Sequence, residues 1–338
     1  MTNKNIKMYL KVPKKSGEKI RKILINKNAL DKSYKILRNG DFLLFPIKKK
    51  ISIPNTSTVK NVKEKIPLRA SSLKDALRGK LSDRELKISP RSFDVIGDIA
   101  ILELPLELNR KEKLIARTLL GTFPSIKVVC KKKTKVDTEY RIPGIEIILG
   151  DRTKTIHKEF GCLYKIDIKE AYFSPRLSNE RMRIARQIKN NESVLVMFAG
   201  VGPYPISIAK KSKPKKVVAI ELNPIAVKYM KENAKLNKVD IEIIKGDVRT
   251  ETKKLGKFDR IIMPLPKDAG NFLNVALGAI KNRGIIHFYD FSHSKEESIS
   301  KVNEICKSLG YKIKILNAVE CGSYSPCLSR ICVDFQIL

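Results

Sequence analysis

Residues Val194–Ile206 read VLVMFAGVGPYPI: an apolar run, then Gly200-Val201-Gly202, then prolines at 203 and 205. The run has the length and apolar content of a buried strand. The glycines end it where missing side chains let backbone N–H groups approach a ligand closely. The same alternation continues around it from about Ala171 to the C-terminus: "SVLVMFA" then "PISIAKKSK", "KVVAIEL" then "PIAVKYMKENAKLN", "IEIIKGD", "FDRIIMPLP" then "AGNFLNVALGAIKN", "GIIHFYDF" then "KEESISKVNEICKSLG", and finally "YKIKILNAVE" and "SRICVDFQIL". Strands spaced by helices predict an α/β domain with a mainly parallel sheet covered on both faces. In such a sheet, ligands bind beyond the carboxyl ends of the strands, near the switch in strand order.

Polar groups stand at three successive strand ends. Gly200 and Gly202 close the first strand, and Glu221 closes the second, where a carboxylate can accept both hydroxyls of a ribose. Asp247 of "KGDVR" ends the third and offers an acceptor to an adenine amino group. A dinucleotide would favour a third glycine and a helix N-terminus under its pyrophosphate, but position 205 is proline. S-adenosylmethionine, an adenosine cofactor without phosphates, suits the set better. Singly each residue is a weak signal, because strand-end acids commonly cap helices.

Charge identifies the partner class. Lys and Arg number 69 against 35 Asp and Glu among 338 residues, a formal net charge of +34. So strong a positive field attracts polyanions, nucleic acid first. A Lys-rich thermophilic surface is the other explanation, but that enrichment raises Glu along with Lys, and here the acids lag. No stretch is apolar for the roughly 18 residues of a membrane span. The start, "MTNKNIKMYLKVPKK", has no apolar secretory core, so a cytoplasmic protein is expected, working as a monomer. Six cysteines without a C-x-x-C pair read as buried or free thiols rather than a metal site or a disulfide framework.

Two smaller α+β modules precede the α/β domain. Residues 1–50 combine the strand "IKMYLKV", an amphipathic helix opened by Ser16, and Asn39-Gly40 between two apolar runs, a strong hairpin signal. Residues 51–72, rich in charge and hydroxyl side chains and weak in periodicity, read as a linker. Residues 73–170 hold the strands of "SFDVIGDIAILELP", "SIKVVCKKK", "IEIILGD" and "KTIHKEFGCLYKIDI" and a helix in "ELNRKEKLIARTLLG", leaving 171–338 as the α/β domain. The run "CKKKTK" places Lys131, Lys132 and Lys133 near Tyr140 and Arg141, either as a solvated face or as a groove that tracks a phosphate backbone.

"FAGVGPY", with "YFSPRLSNERMRIARQI" upstream and "AIELNP", "GDVR" and "MPLPK" downstream, resembles the archaeal and eukaryotic tRNA methyltransferases that modify ring nitrogen 1 of the guanine at position 37. The likeness extends through "SFDVIGDIAIL" and "TIHKEFG" over nearly the whole chain. It implies a Rossmann-like methyltransferase domain with a seven-stranded sheet, preceded by a module that grips the tRNA elbow and a middle module that helps hold the anticodon arm. The reaction needs a group to take the nitrogen's proton and a cation for the charge that spreads to the carbonyl oxygen. By resemblance, Glu180 is the general base and Arg141 the arginine at the guanine oxygen. Tyr172, Arg181, Phe198 and Val248 then join Gly200, Gly202, Glu221 and Asp247 around the cofactor, and Arg176 joins the lysines on RNA. From the residues alone, Glu180 reads first as a first-turn helix acid, and Arg141 as a phosphate contact, a role that can coexist with the other.

Two positions depart from the family pattern. Val196 stands where an Asp is usual, so the cofactor's amino acid end must be held otherwise. Pro264 of "MPLP" replaces the Asn of Asn-Leu-Pro, as in the archaeal subgroup that makes wyosine derivatives; members of that subgroup can also methylate carbon 7 of a tricyclic wyosine precursor (imG-14). The alternative for Pro264 is a proline that shapes the turn after a strand. Two other functions stay open: methylation of another RNA base, and a non-catalytic tRNA-binding protein that keeps the fold.

Overall fold

The computed structural model describes residues 7–31, 34–61, 72–133, 144–267, 269–325 and 327–338. They fall into two compact units, Met1–Arg91 and Ser92–Leu338.

In the first unit, strands β1 (Lys7–Pro13), β2 (Leu37–Asn39), β3 (Phe42–Pro46) and β4 (Ser57–Asn61) form an antiparallel sheet in the order β2-β3-β1-β4. Helix α1 (Gly17–Asn26) covers it, burying Ile20 and Leu24 against Leu10, Val12, Phe45 and Ile47. Asn39-Gly40 makes the expected hairpin, with Asn39 paired to Phe42 and Gly40 at φ 54°. Within the span 51–72 read as linker, residues 57–61 form the edge strand β4, which pairs with β1. Its polar sequence, STVKN, suits an exposed edge and carries no alternating apolar signal. Two short helices, α2 (Leu73–Leu77) and α3 (Asp83–Ile88), close the unit; Ser82 and Glu85 cap α3 reciprocally.

The second unit opens with the sheet β5-β6-β7-β8: β5 (Asp94–Ile96), β6 (Ile99–Leu102), β7 (Val128–Lys132) and β8 (Ile145–Leu149). Helix α4 (Glu112–Thr122) makes the crossover between parallel β6 and β7. The hairpin of β9 (Lys154–Glu159) and β10 (Cys162–Asp167) follows, then α5 (Ser178–Gln187). The main sheet comprises β11 (Ser193–Val196), β12 (Lys216–Glu221), β13 (Glu242–Lys245), β14 (Phe258–Met263), β15 (Ile280–Ser292), β16 (Ile313–Ser325) and β17 (Leu328–Ile337). Its helices are α6 (Pro203–Lys211), α7 (Pro224–Asn237), α8 (Val248–Glu251), α9 (Leu273–Ala279) and α10 (Lys295–Ser308). The seven-stranded order is β13-β12-β11-β14-β15-β17-β16, with β17 antiparallel to both neighbours and β11 to β15 parallel.

Side chains alternate between the faces, as a two-residue period requires. Leu195, Met197, Val218 and Ile220 meet α9 and α10 through Leu273, Leu277, Val302 and Cys306. Val194, Val196, Val217 and Ala219 meet α5, α6 and α7 through Ile184, Ile208 and Met230. Strand order reverses between β11 and β14, so the switch point lies at the glycine turn.

The β9–β10 hairpin is fastened to this domain by side-chain amides. Asn233 and Asn237, one turn apart on α7, each bond both backbone groups of an alternate residue of β10: Lys165 at 2.7 and 3.1 Å, Leu163 at 2.9 and 2.6 Å. They satisfy the strand edge that β9 does not pair. One apolar cluster then joins Ile99, Val128 and Ile145 to Tyr164, Phe173, Val201, Ile206 and Ala226.

Candidate active site

Gly200 (φ 57°) and Gly202 (φ 90°) both adopt the left-handed backbone that favours glycine. A Cβ on Gly202 would lie 2.8 Å from Met230, whereas one on Gly200 would meet only the Tyr172 carbonyl, at 3.8 Å. The turn therefore packs tightly at Gly202 and stays open at Gly200. The Gly200 N–H donates to Glu221 Oε2 at 2.7 Å, and the Asn223 N–H donates to Oε1 at 2.8 Å. Burial pushes the Glu221 carboxyl above its ordinary value against these backbone N–H groups, which favour the charged form. A carboxylate has roughly four lone-pair sites, so Glu221 keeps capacity for two donors, such as a ribose diol.

Phe198, itself at φ 54°, packs edge-on to Phe272 with ring centroids 4.9 Å apart. The Arg249 guanidinium lies 5.6 Å from the Phe272 centroid. Asp247 caps α8 by accepting the Arg249 N–H at 2.8 Å, and its carboxylate pairs with the Arg249 side chain at 2.5 Å. That pairing holds Asp247 below the usual carboxylate range and occupies both its oxygens, so an adenine amino group would have to displace the exposed Arg249 side chain. Val248 is buried in the core beneath. Helix α6 begins at Pro203, which has no N–H to offer a pyrophosphate, while the apolar Phe198–Phe272 pair suits an adenosine. The residues thus fit a phosphate-free adenosine cofactor. Val196 points into the core, so β11 contributes no carboxylate there.

Glu180, in the first turn of α5, is only 6% exposed. Its Oε1 accepts the Tyr289 hydroxyl at 2.6 Å and an Arg183 N–H at 2.8 Å, and its Oε2 accepts Arg183 Nε–H at 2.7 Å. The chain continues inward. Arg183 also holds Asp334 at 2.5 Å, Asp334 accepts from His287 Nδ1 at 2.6 Å, and Arg260 donates to His287 Nε2 at 2.8 Å before closing on Glu192 at 2.8 and 3.0 Å. Tyr204 donates to the Tyr289 hydroxyl at 2.9 Å. Burial would raise the Asp334 carboxyl, but its bonds to His287 and Arg183 outweigh that and hold it far below the usual range. Burial lowers His287 and lifts both tyrosines well above their ordinary range. Ligand atoms of His287, Cys332 and Asp334 lie within 4.8 Å of one another, as a metal would require. With Nε2 accepting from Arg260 and Nδ1–H donating to Asp334, the imidazole has no lone pair left for an ion.

The remaining expected residues divide. Arg181, expected at the cofactor, is buried and forms a bidentate pair with Glu159 at 2.6 Å on both arms, tying α5 to β9. Tyr172 is 48% exposed, and its backbone lies over the glycine turn. Arg176 pairs with Asp94 at 2.7 Å, Lys131 with Glu112 at 2.5 Å and Lys132 with Glu103 at 2.5 Å; Lys133 is exposed and comes no nearer than 3.9 Å to Glu146. Arg141 lies outside the described residues. Pro264 sits at the centre of a three-residue turn closed by the Leu265 N–H to the Met263 carbonyl at 2.8 Å. Sequence reasoning missed Arg183, Tyr289, Asp334 and His287. Arg183 was within reach, three residues beyond Glu180 on one helix face; the others come from β15 and β17, where no local pattern marks them.

Three family models match: the TRM5/TYW2 methyltransferase domain over residues 155–314, the TYW2 N-terminal domain over 73–153 and the tRNA methyltransferase 5 N-terminal domain over 10–54. The tRNA (guanine(37)-N(1))-methyltransferase Trm5b of Pyrococcus abyssi is 39% identical over 98% of this chain and 99% of its own. The tRNA (guanine(37)-N(1))/4-demethylwyosine(37)-methyltransferase Taw22 of Nanoarchaeum equitans is 33% identical over 69% of this chain and 97% of its own. Among solved structures, the complex of aTrm5 with tRNALeu has a TM-score of 0.74 at 34% identity, covering 98% of this chain and 100% of that one. TYW2 of P. horikoshii in complex with MeSAdo has a TM-score of 0.66 at 30% identity, covering 79% and 98%.

Proposed function

Because this chain belongs to the TRM5/TYW2 methyltransferase family, we propose that it methylates the guanine at tRNA position 37 on ring nitrogen 1, working as a cytoplasmic monomer. The family uses S-adenosylmethionine, which supplies an electrophilic methyl on a sulfonium. One observation carries the reading: a chain alike from end to end to Trm5b places Gly200, Glu221 and Asp247 at successive strand ends of its methyltransferase sheet. Among the described residues, no helix is long and apolar enough to cross a membrane.

The residues divide the work. Glu221 takes the ribose hydroxyls on its two remaining lone-pair sites, Gly200 and Gly202 leave room at the turn, Phe198 and Val248 line the adenosine, and Asp247 meets the adenine amino group once Arg249 turns away. Three donors already hold Glu180, so one lone pair on Oε2 is left for the guanine N1 proton. Its bidentate clamp orients the carboxylate, which is what a positioned base requires. Arg141 stabilises the developing negative charge on the guanine oxygen, and Tyr172 borders the target base. Arg176, Lys131, Lys132 and Lys133 track phosphates; of these Lys133 is the least committed to an acid. Arg181 supports the site from behind through Glu159.

A second activity, methylation of carbon 7 of the tricyclic wyosine precursor, is favoured by Pro264, whose rigid ring offers an apolar wall and no amide. The test is single-turnover transfer from labelled cofactor to unmodified tRNA, followed by mass spectrometry of position 37. We expect 1-methylguanosine there. Label on another nucleoside, or tight tRNA binding without transfer, would replace this function with one of the two alternatives.

A further inference from the structure

Beyond the catalytic carboxylate, the rim of this site carries an aromatic group with no part in the chemistry above. Tyr324, at the tip of the β16–β17 hairpin, is 60% exposed, and its ring lies on Phe291 at the end of β15, with centroids 4.1 Å apart and planes inclined by 33°. The Arg330 guanidinium covers the same Phe291 ring at 5.3 Å and reaches the Tyr172 hydroxyl at 3.5 Å. Tyr172 adjoins the glycine turn through its carbonyl, so the four side chains run outward from the cofactor side of the site.

Arg330 is held by stacking rather than by charge. Among the described residues it makes no ion pair within 4 Å, and its buried Nε has no hydrogen-bond partner. A planar cation on an aromatic face, next to exposed tyrosines, matches the chemistry that receives unstacked nucleobases: any base offers a π-face to Tyr and an acceptor edge to a guanidinium. Tyr172 borders the reacting base, so Tyr324, which lies beyond Arg330 and Phe291, is placed for a neighbour of that base. The protein's charge of +34 favours a nucleic acid occupant over an apolar peptide.

We propose that Tyr324, Phe291 and Arg330, anchored on the Tyr172 hydroxyl, form a stacking platform for an anticodon-loop base adjacent to the methylated one. The platform keeps that base unstacked while its neighbour enters the site. It rests on the tRNA methyltransferase reading and adds to it a contact that discriminates loop conformation.

The test uses the full-length protein and tRNA carrying 2-aminopurine beside position 37. Wild-type binding should change the probe's fluorescence as the base moves onto the platform. Tyr324→Ala should abolish that change and raise the tRNA dissociation constant about tenfold, the scale of one stacked base, while leaving cofactor affinity and the slope of affinity against salt as they are, because no phosphate contact is lost. Tyr324→Phe should retain both signals. Wild-type affinity and fluorescence in Tyr324→Ala would overturn the platform, as would equal losses in Tyr324→Phe. Absence of salt-dependent tRNA binding in the wild type would instead remove the function on which it rests.

Discussion

Replacing Glu180 with Gln removes a charge and little volume. In the native site three donors converge on the carboxylate: the Tyr289 hydroxyl and two Arg183 nitrogens, all within 2.8 Å. A carboxamide can accept from two of them through its oxygen, but its NH2 then faces the third, donor against donor. One charge-assisted hydrogen bond is lost, worth about 1.5–3 kcal/mol, and a buried N–H is left unsatisfied. Arg183 keeps Asp334 as a counter-charge, so the full cost of roughly 3–5 kcal/mol for breaking a buried pair is not reached. We expect a loss of about 2–3 kcal/mol in urea unfolding, with the protein still folded at 25 °C. If Glu180 also takes the N1 proton, single-turnover guanine methylation should slow by ~10²-fold or more, and the deficit should shrink at alkaline pH, where guanine gives up its proton unaided. Tyr289→Phe serves as the control, because it damages the same network and leaves the carboxylate in place. It should cost similar stability and less than about tenfold in rate. Equal rate losses in the two variants, or a wild-type rate in Glu180→Gln, would return Glu180 to the purely structural role its buried clamp also permits.

Glu221→Ala should raise the cofactor dissociation constant about tenfold or more by calorimetry, since at least one charge-assisted bond is lost, with tRNA affinity nearly unchanged; normal cofactor binding would mean the pocket lies elsewhere. Pro264→Asn keeps the turn, since Asn can adopt the proline's φ, at a cost of about 1 kcal/mol or less. It should maintain or improve methylation of unmodified guanine and impair carbon 7 methylation of the wyosine precursor, assayed in parallel on the two tRNAs; equal loss of both would mark a structural proline. Asp334 has a carboxyl depressed in the folded state, so its contribution is present above its unfolded pKa near ~3.9 and is lost as pH falls below it. Stability measured by urea from pH 6 to 2 should therefore fall less steeply in Asp334→Asn than in wild type, and parallel slopes would contradict the assignment.

Local pattern determined much of this protein. Helix α7 occupies the whole of the stretch "PIAVKYMKENAKLN", because its proline start and apolar stripe need no distant partner to be recognised. The Asn39-Gly40 hairpin and the strand ending before Gly200 were legible for the same reason: backbone conformation depends on residues within a few positions. The family motifs also located the glycine turn and Glu221, whose joining bond spans two adjacent strand ends. β4 was not legible, since an exposed edge strand needs only a partner's hydrogen bonds and no apolar alternation. Nor were the partners of the charged residues. Arg181 turns to Glu159 on a hairpin, and Glu180 to a tyrosine on β15 and, through Arg183, to an aspartate on β17. Sequence decides which side chains carry charge, but strand order and register decide which of them meet, and a buried charge settles on whichever counter-group the tertiary fold brings within 3 Å.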